Sequence, residues 1–100
     1  ISRIGRLLRD AGRWDGAELV PAWWVRRMHH PFIDTGRPSP FQRYGLAVWD
    51  GPGQSWRLDG LYGQYVIVHH RYNAVVTITA HEENRDYLLA KYAERALREA

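Results

Sequence analysis

The fold of this chain is set by the stretch Leu58-Asp59-Gly60-Leu61-Tyr62-Gly63-Gln64-Tyr65, which precedes two apolar runs at residues 66–69 and 74–80. Gly60 and Gly63 stand three residues apart, with the bulky Tyr62 between them. Glycine alone enters the positive-φ region without a steric penalty, so this spacing predicts a sharp bend or a close approach of the backbone to another group. We call residues 60–64 the bend.

The two apolar runs after the bend predict an antiparallel hairpin. β-Branched and aromatic residues dominate residues 64–68 and 75–79, and Arg71-Tyr72-Asn73 separates the two segments. This pattern is a strong local signal for two paired strands. We therefore expect a bent strand that leads into a buried hairpin, with a main chain at the bend that faces a ligand.

Two short helices are predicted before the sheet. Apolar residues recur at helical spacing from residue 4 to residue 11, and Gly12 stands where a glycine commonly ends a helix. Pro21 suits the first turn of a second helix over Ala22–His29. The expected apolar side of this second helix consists of Trp23, Trp24 and Met28.

The remaining segments complete an α+β pattern. Three prolines predict a loop over residues 31–40, residues 44–49 and 55–58 are predicted strands, and a last helix is expected to begin at Glu83 or Asn84. Two helices, four strands and one helix predict an antiparallel β-sheet flanked by helices. The 100 residues are enough for one small domain over residues 1–100 and leave no room for a second.

Composition argues against several classes of protein. The net charge is +3, but the 14 basic residues are scattered along the chain, so we expect no nucleic-acid partner. No apolar run approaches the roughly 20 residues of a membrane-spanning helix. The absence of cysteine excludes disulfides and thiolate metal sites, and is equally compatible with a cytoplasmic and with a secreted or periplasmic protein.

The five histidines do not predict a metal site. His69 and His70 are adjacent in a predicted strand, where neighbouring side chains point to opposite faces of the sheet. The sequence also lacks the acid and histidine spacing that is typical of zinc enzymes. We expect neither a metal nor a cofactor.

Four segments, in this order, resemble the C-terminal third of bacterial serine hydrolases with the β-lactamase and penicillin-binding-protein fold, especially the class C-like esterases, amidases and oligomer hydrolases. The segments are residues 4–16, Leu19-Val20-Pro21-Ala22-Trp23-Trp24-Val25, Tyr44-Gly45-Leu46-Ala47-Val48-Trp49 and Asp59-Gly60-Leu61-Tyr62-Gly63-Gln64-Tyr65 with the strands that follow. The resemblance covers nearly the whole chain. It implies that the chain is the C-terminal portion of an enzyme that acts through an acyl-enzyme on an ester, amide or β-lactam.

The resemblance also implies that essential parts lie outside this chain. In that family the nucleophile is the serine of Ser-x-x-Lys, where the lysine amine takes the hydroxyl proton. None of Ser2, Ser39 and Ser55 is followed by lysine three residues later. The resemblance therefore places the nucleophile and base in an upstream N-terminal portion of the same hydrolase, and we expect this chain to be inactive by itself.

The family's third motif, Lys-Thr-Gly or His-x-Gly on the inner edge strand, aligns with Leu58-Asp59-Gly60. Leu58 departs from the motif, because it offers no charge or donor to an anionic substrate. This departure favours a neutral ester or amide over a β-lactam carboxylate. The resemblance implies that Gly60 lies along the acyl group and that the backbone N–H of Leu61 completes the oxyanion hole.

Alternatives stay open for the residues of the bend. Asp59 either bonds to N–H groups of its own turn or orients the substrate or the upstream base. Tyr62 either walls the acyl pocket or packs, Gly63 supplies the backbone bend, and Gln64 can bond across it.

The rival hypothesis for the whole chain is a non-catalytic small α+β module that binds a ligand or a partner. The resemblance carries a further expectation: in the family the strand at residues 74–79 pairs with an N-terminal strand, so here its outer edge should be unpaired, which invites pairing with another chain or self-association.

Overall fold

A computed structural model gives the structure of residues 2–99, with the backbone alone at residues 85 and 86. The first half contains helix α1 (Ser2–Arg9), a small hairpin of β1 (Arg13–Trp14) and β2 (Ala17–Glu18), and helix α2 (Ala22–His29). The bounds of α2 are those that the sequence predicts. Pro21 precedes its first residue, where the missing N–H of proline leaves no helical bond unmade.

The larger sheet has six antiparallel strands in the order β3-β4-β5-β6-β7-β8, which is also their order along the chain. The strands are β3 (Ile33–Asp34), β4 (Arg43–Tyr44), β5 (Trp49–Asp50), β6 (Trp56–Gly60), β7 (Gln64–His69) and β8 (Ala74–Ile78). The predicted hairpin is confirmed as β7 and β8, with Ile67 opposite Val76 near its middle. The α+β class predicted from the sequence is confirmed.

The last helical segment begins at residue 85, close to the predicted start. It comprises α3 (Arg85–Leu88), a π-helical turn (Leu89–Ala93) and α4 (Glu94–Arg98). The side chain of Asn84 caps this segment, since its Oδ1 accepts the N–H of Tyr87 at 3.2 Å. The π-helical turn has no counterpart in the sequence-based prediction.

Alternation along β6 and β7 creates two apolar layers, one on each face of the sheet. On one face, Tyr65 and Ile67 pack against Leu89, Ala93 and other residues of the last helical segment. On the other face, Trp56 and Val68 pack with Leu8 and Val25 of the first two helices. The central strands are thus covered on both sides, which fixes their register.

The predicted apolar side of α2 is wrong at two positions. Trp23 is 62% exposed and Trp24 is 44% exposed, whereas Val25 is 1% exposed and enters the core. Val25, Met28 and His29 lie at i, i+3 and i+4 on one side of the helix, and this side packs on Trp56. The two tryptophans pack edge to face on each other instead, with ring centroids 5.7 Å apart.

The single strand predicted over residues 44–49 is also wrong. The chain reverses there, because Ala47 adopts a positive φ of 64° and the N–H of Gly45 bonds to the carbonyl of Val48 at 2.7 Å. Tyr44 and Trp49 thereby become opposite residues of two strands, β4 and β5. The loop predicted over residues 31–40 likewise contains the short strand β3, which pairs with β4.

Candidate functional site

The candidate site lies where β6 ends and the bend begins. Strand β5 is short and pairs only with the first two residues of β6, Trp56 and Arg57. Residues 58–60 have a strand partner on one side only, in β7, within the part of the chain that the structure describes. Along Leu58, Asp59 and Gly60, the side of β6 that faces away from β7 therefore has no paired strand among the described residues, although β6 is an inner strand of the sheet. We call this segment the open half of β6.

Within the bend, residues 61–63 connect Gly60 and Gln64, which are the last paired residues of β6 and β7. Tyr62 and Gly63 both have positive φ, at 61° and 86°. Two successive residues in the left-handed region turn the chain tightly, and the second position is one that glycine tolerates best. The sequence predicted the bend at Gly63 correctly, while Gln64 is already the first residue of β7.

Residues 80–82, which follow β8, hold the bend in place. The N–H of Glu82 donates to the carbonyl of Tyr62 at 2.9 Å, and the side-chain amide of Gln64 donates to the carbonyl of Ala80. The ring of Tyr62 lies edge to face against His81, with centroids 4.4 Å apart. Gln64 thus bonds to the segment beside the bend, whereas the sequence suggested a bond across it.

Leu61 is strongly exposed in this arrangement. The residue is 70% exposed, and none of the hydrogen bonds between described groups uses its backbone N–H as the donor. The carbonyl of the next residue, Tyr62, is occupied by Glu82, so the backbone at this position is fixed. The bend therefore presents the backbone amide of the exposed Leu61 from a main chain that this bond constrains.

Asp59 forms an ion pair with Arg57, at 2.9 Å from Nε to Oδ2. Both side chains are nearly buried, and the guanidinium also donates to the carbonyls of Asp50 and Phe41. The rings of Trp49 and Tyr65 flank Arg57, each centred 5.8 Å from its Cζ. The sequence did not indicate Arg57 as a functional residue, although its i, i+2 spacing to Asp59 in a strand places both on one face.

Two clefts flank the open half of β6. One, of about 340 Å³, lies on the face of the last helical segment and is lined by Arg37, Phe41, Trp49, Arg57 and Asp59 among others. The second, of about 230 Å³, is lined by Leu58, Gly60, Gln64 and residues of β8. Leu61 and Tyr62 line neither of these two clefts.

Burial changes the pKa of two of the five histidines, His29 and His69. Burial lowers the pKa of His29, and the nearby His70 lowers it further. Burial also lowers the pKa of His69, with a smaller contribution from the charge of Arg71. Among the side chains that the structure describes, no three or more histidine and carboxylate groups converge in a way that could hold a metal ion.

No protein-family model matches this chain, and a comparison with curated proteins finds no match. Between residues 2 and 99, the structure contains no helix with the length and apolar character needed to cross a membrane.

Proposed function

We propose that this chain is the C-terminal part of a β-lactamase-like serine hydrolase that opens an ester or amide through an acyl-enzyme. The chain contributes the inner sheet edge at residues 58–60 and the backbone N–H of Leu61 as one donor of the oxyanion hole. The serine nucleophile and its lysine base come from an upstream N-terminal portion. No cofactor takes part in this chemistry.

The backbone N–H of the exposed Leu61 on a constrained bend is the observation that carries the proposal. An oxyanion hole needs a donor that is fixed before the reaction and lies about 3 Å from the developing negative charge. The bonds from Glu82 to Tyr62 and from Gln64 to Ala80 fix this segment. Such a donor needs no reorganisation when the carbonyl becomes tetrahedral.

The open half of β6 supports the same assignment. An acyl group that lies along a strand needs a main chain with no second strand on that side, and residues 58–60 meet this condition. A Cβ at Gly60 would stand 2.9 Å from Cβ of Gln64, so glycine at this position lets β6 and β7 close up at the bend. Leu58 offers only an apolar surface, which fits a neutral substrate better than an anionic one.

The Arg57 and Asp59 pair would serve as a positioning element in this proposal. Asp59 directly precedes Gly60, and its carboxylate is held by Arg57 at 2.9 Å. Arg57 is in turn fixed by two backbone carbonyls. We infer that this pair keeps the open end of β6 in register beside the bend.

The proposal is tested by reconstitution. Hydrolysis of a nitrophenyl ester is measured with this chain alone, with the upstream portion encoded by the same reading frame alone, and with both together. We expect multiple turnovers only for the mixture, because the nucleophile and the oxyanion donor lie on different segments. Multiple turnovers by this chain alone, or none by the mixture of folded partners, would reject the proposal.

A second candidate, a non-catalytic binding module, is favoured by one observation: the cleft of about 340 Å³ forms from this chain alone, and Leu61 does not line it. The two candidate functions predict different upstream reading frames in the gene. A reading frame that carries Ser-x-x-Lys upstream favours the enzyme, and one without it favours the module.

The proposed partners follow from the sheet. β8 is the last strand of the six, so one of its edges has no strand partner within residues 2–99. We propose that the upstream portion of the hydrolase pairs here, and that in its absence two copies of this chain associate through the same edge.

A further inference from the structure

A separate cleft of about 260 Å³ lies away from the bend, between the loop after β5, the β7–β8 turn and α4. Its lining includes His69, Arg71 and Arg98, together with Gly53 of the loop after β5. None of these residues takes part in the proposed acyl transfer, so the cleft does not depend on that proposal.

His69 supplies a buried donor to this cleft. Only 4% of its surface is exposed, and its Nδ1 accepts the N–H of Tyr72 at 3.2 Å. A ring nitrogen that accepts a hydrogen bond carries no proton, so the neutral ring carries its proton on Nε2. The ring stacks on Tyr72, with centroids 4.3 Å apart and planes within 7°, which fixes the direction of the Nε2–H.

The Nε2 of His69 lies near Gly53. A Cβ built on Gly53 would stand 3.9 Å from Nε2, so the glycine backbone lies within van der Waals range of this end of the ring. His69 lines the cleft, and an anion in the cleft can accept the hydrogen bond of this fixed Nε2–H.

The charges around the cleft favour an anion. Arg71 and Arg98 form no ion pair within the described part of the chain, although both line the cleft. Glu94 is the acidic residue of the lining. Two guanidinium groups and one carboxylate leave an excess of positive charge, while Glu94 disfavours a long polyanion such as nucleic acid.

We propose that this cleft binds a small oxyanion, the phosphate or carboxylate group of a small molecule, through the Nε2–H of His69 and the guanidinium groups of Arg71 and Arg98. Guanidinium groups match the planar spacing of two oxygens in such groups. The cleft volume of about 260 Å³ accommodates the anionic group and a short attached chain.

The test is a titration of the whole chain with inorganic phosphate and, separately, with acetate, at constant ionic strength set with chloride. Binding is followed by the backbone amide resonances of Gly53 and Gln54 and by the Nε2 resonance of His69. We expect saturable shifts with at least one of the two anions. R71Q and R98Q should each weaken binding by about tenfold, the typical effect of losing a charged hydrogen bond.

R95Q is the matched control, because Arg95 lies on the same helix, pairs with Glu99 and does not line the cleft. It removes the same charge and should leave the affinity unchanged. Thermal melts verify that all three variants fold, which is expected because Arg71, Arg95 and Arg98 are exposed. Shifts that do not saturate with either anion, or equal weakening by R95Q and R98Q, would overturn the proposal.

Discussion

Gly63 shows how one residue fixes the geometry of the bend. Its φ is 86°, and a Cβ at this position would lie 2.3 Å from Cδ1 of Leu88. Conformation and packing against the last helical segment therefore both require glycine here. The sequence predicted the conformational reason from the glycine spacing, but the contact with Leu88 depends on tertiary structure and gave no sequence signal.

G63A is expected to destabilise the protein more than G16A does. Gly16 has a similar φ of 80° but has no atom within 4 Å of a built Cβ, so it is a matched control for backbone strain. Each substitution should lose about 1–2 kcal/mol of unfolding free energy for a left-handed alanine, and G63A about 1–3 kcal/mol more from the collision with Leu88. Urea denaturation of both variants measures the difference, and equal losses would contradict the packing at the bend.

Arg57 is expected to contribute far more to stability than an exposed arginine. R57M removes the guanidinium that bonds to Asp59 and to two backbone carbonyls, and each buried carbonyl left without its donor typically costs roughly 1–3 kcal/mol. R95M breaks the exposed pair with Glu99 and should cost less than about 1 kcal/mol. Denaturation midpoints of the two variants provide the comparison. A small effect of R57M would mean that Arg57 does not hold Asp59 as described.

Because the pKa values of His29 and His69 are lowered in the folded protein, we expect acid to destabilise the fold. Burial lowers the pKa of both His29 and His69, so below about pH 6.5 the unfolded chain binds more protons than the folded one. Their contribution to the unfolding free energy is fully present above the unfolded pKa and is lost as the pH falls through the folded pKa values. Denaturation between pH 7.5 and 5 measures this slope. The H29Q/H69Q double variant should flatten it, and an equal slope in that variant would contradict the assignment to these residues.

Among the elements, those with local signals were predicted best. Pro21 marks the start of α2, and β-branched residues mark β7 and β8. The segment at residues 44–49 was mistaken for one strand because its turn has no proline and only one glycine. Its reversal depends on Ala47 in the left-handed region and on the N–H of Leu46, which bonds to the carbonyl of Met28 at 2.8 Å. Such a contact between distant segments leaves no trace in a local pattern.

In the candidate site too, features with a local sequence signal were predicted, and features that depend on contacts between distant segments were missed. The glycine spacing located the bend, and the family resemblance pointed to Leu61. The residues that hold the bend, Ala80, His81 and Glu82, were not predicted, because two of their three contacts use backbone groups that any residue carries. Arg57 was missed because its role requires the pairing of β5 with β6 to bring the Asp50 carbonyl beside it.

The edge of β8 predicts association at the level of the element. The strand Ala74–Ile78 contains no charged residue and no proline, the two features that commonly protect an edge. We expect the wild-type chain to form dimers at high concentration, and T77K to remain monomeric because it places a charge on the edge strand. A90K, a lysine on the exposed surface of the last helical segment, should associate like wild type. Sedimentation equilibrium distinguishes these outcomes, and a wild-type monomer at every concentration would contradict the prediction.

At the scale of the whole molecule, the sheet lies between two helical layers, and Leu61 at the bend remains exposed outside both. Helices α1 and α2 cover one face, and α3, the π-helical turn and α4 cover the other. Trp23, Trp24 and Leu61 are exposed outside these cores. The exposed position of Leu61, the proposed oxyanion donor, is compatible with the proposed assembly with an upstream portion.

The most direct test of the central claim replaces the amide at Leu61 by an ester, which removes the N–H and keeps the leucine side chain. The measurement is the turnover number of the enzyme reconstituted from this chain and the upstream portion. Removing one oxyanion donor should lower kcat by about 10²–10³-fold, whereas L61A, which retains the amide, should remain close to wild type. An ester variant that turns over as fast as L61A would contradict the role of this amide.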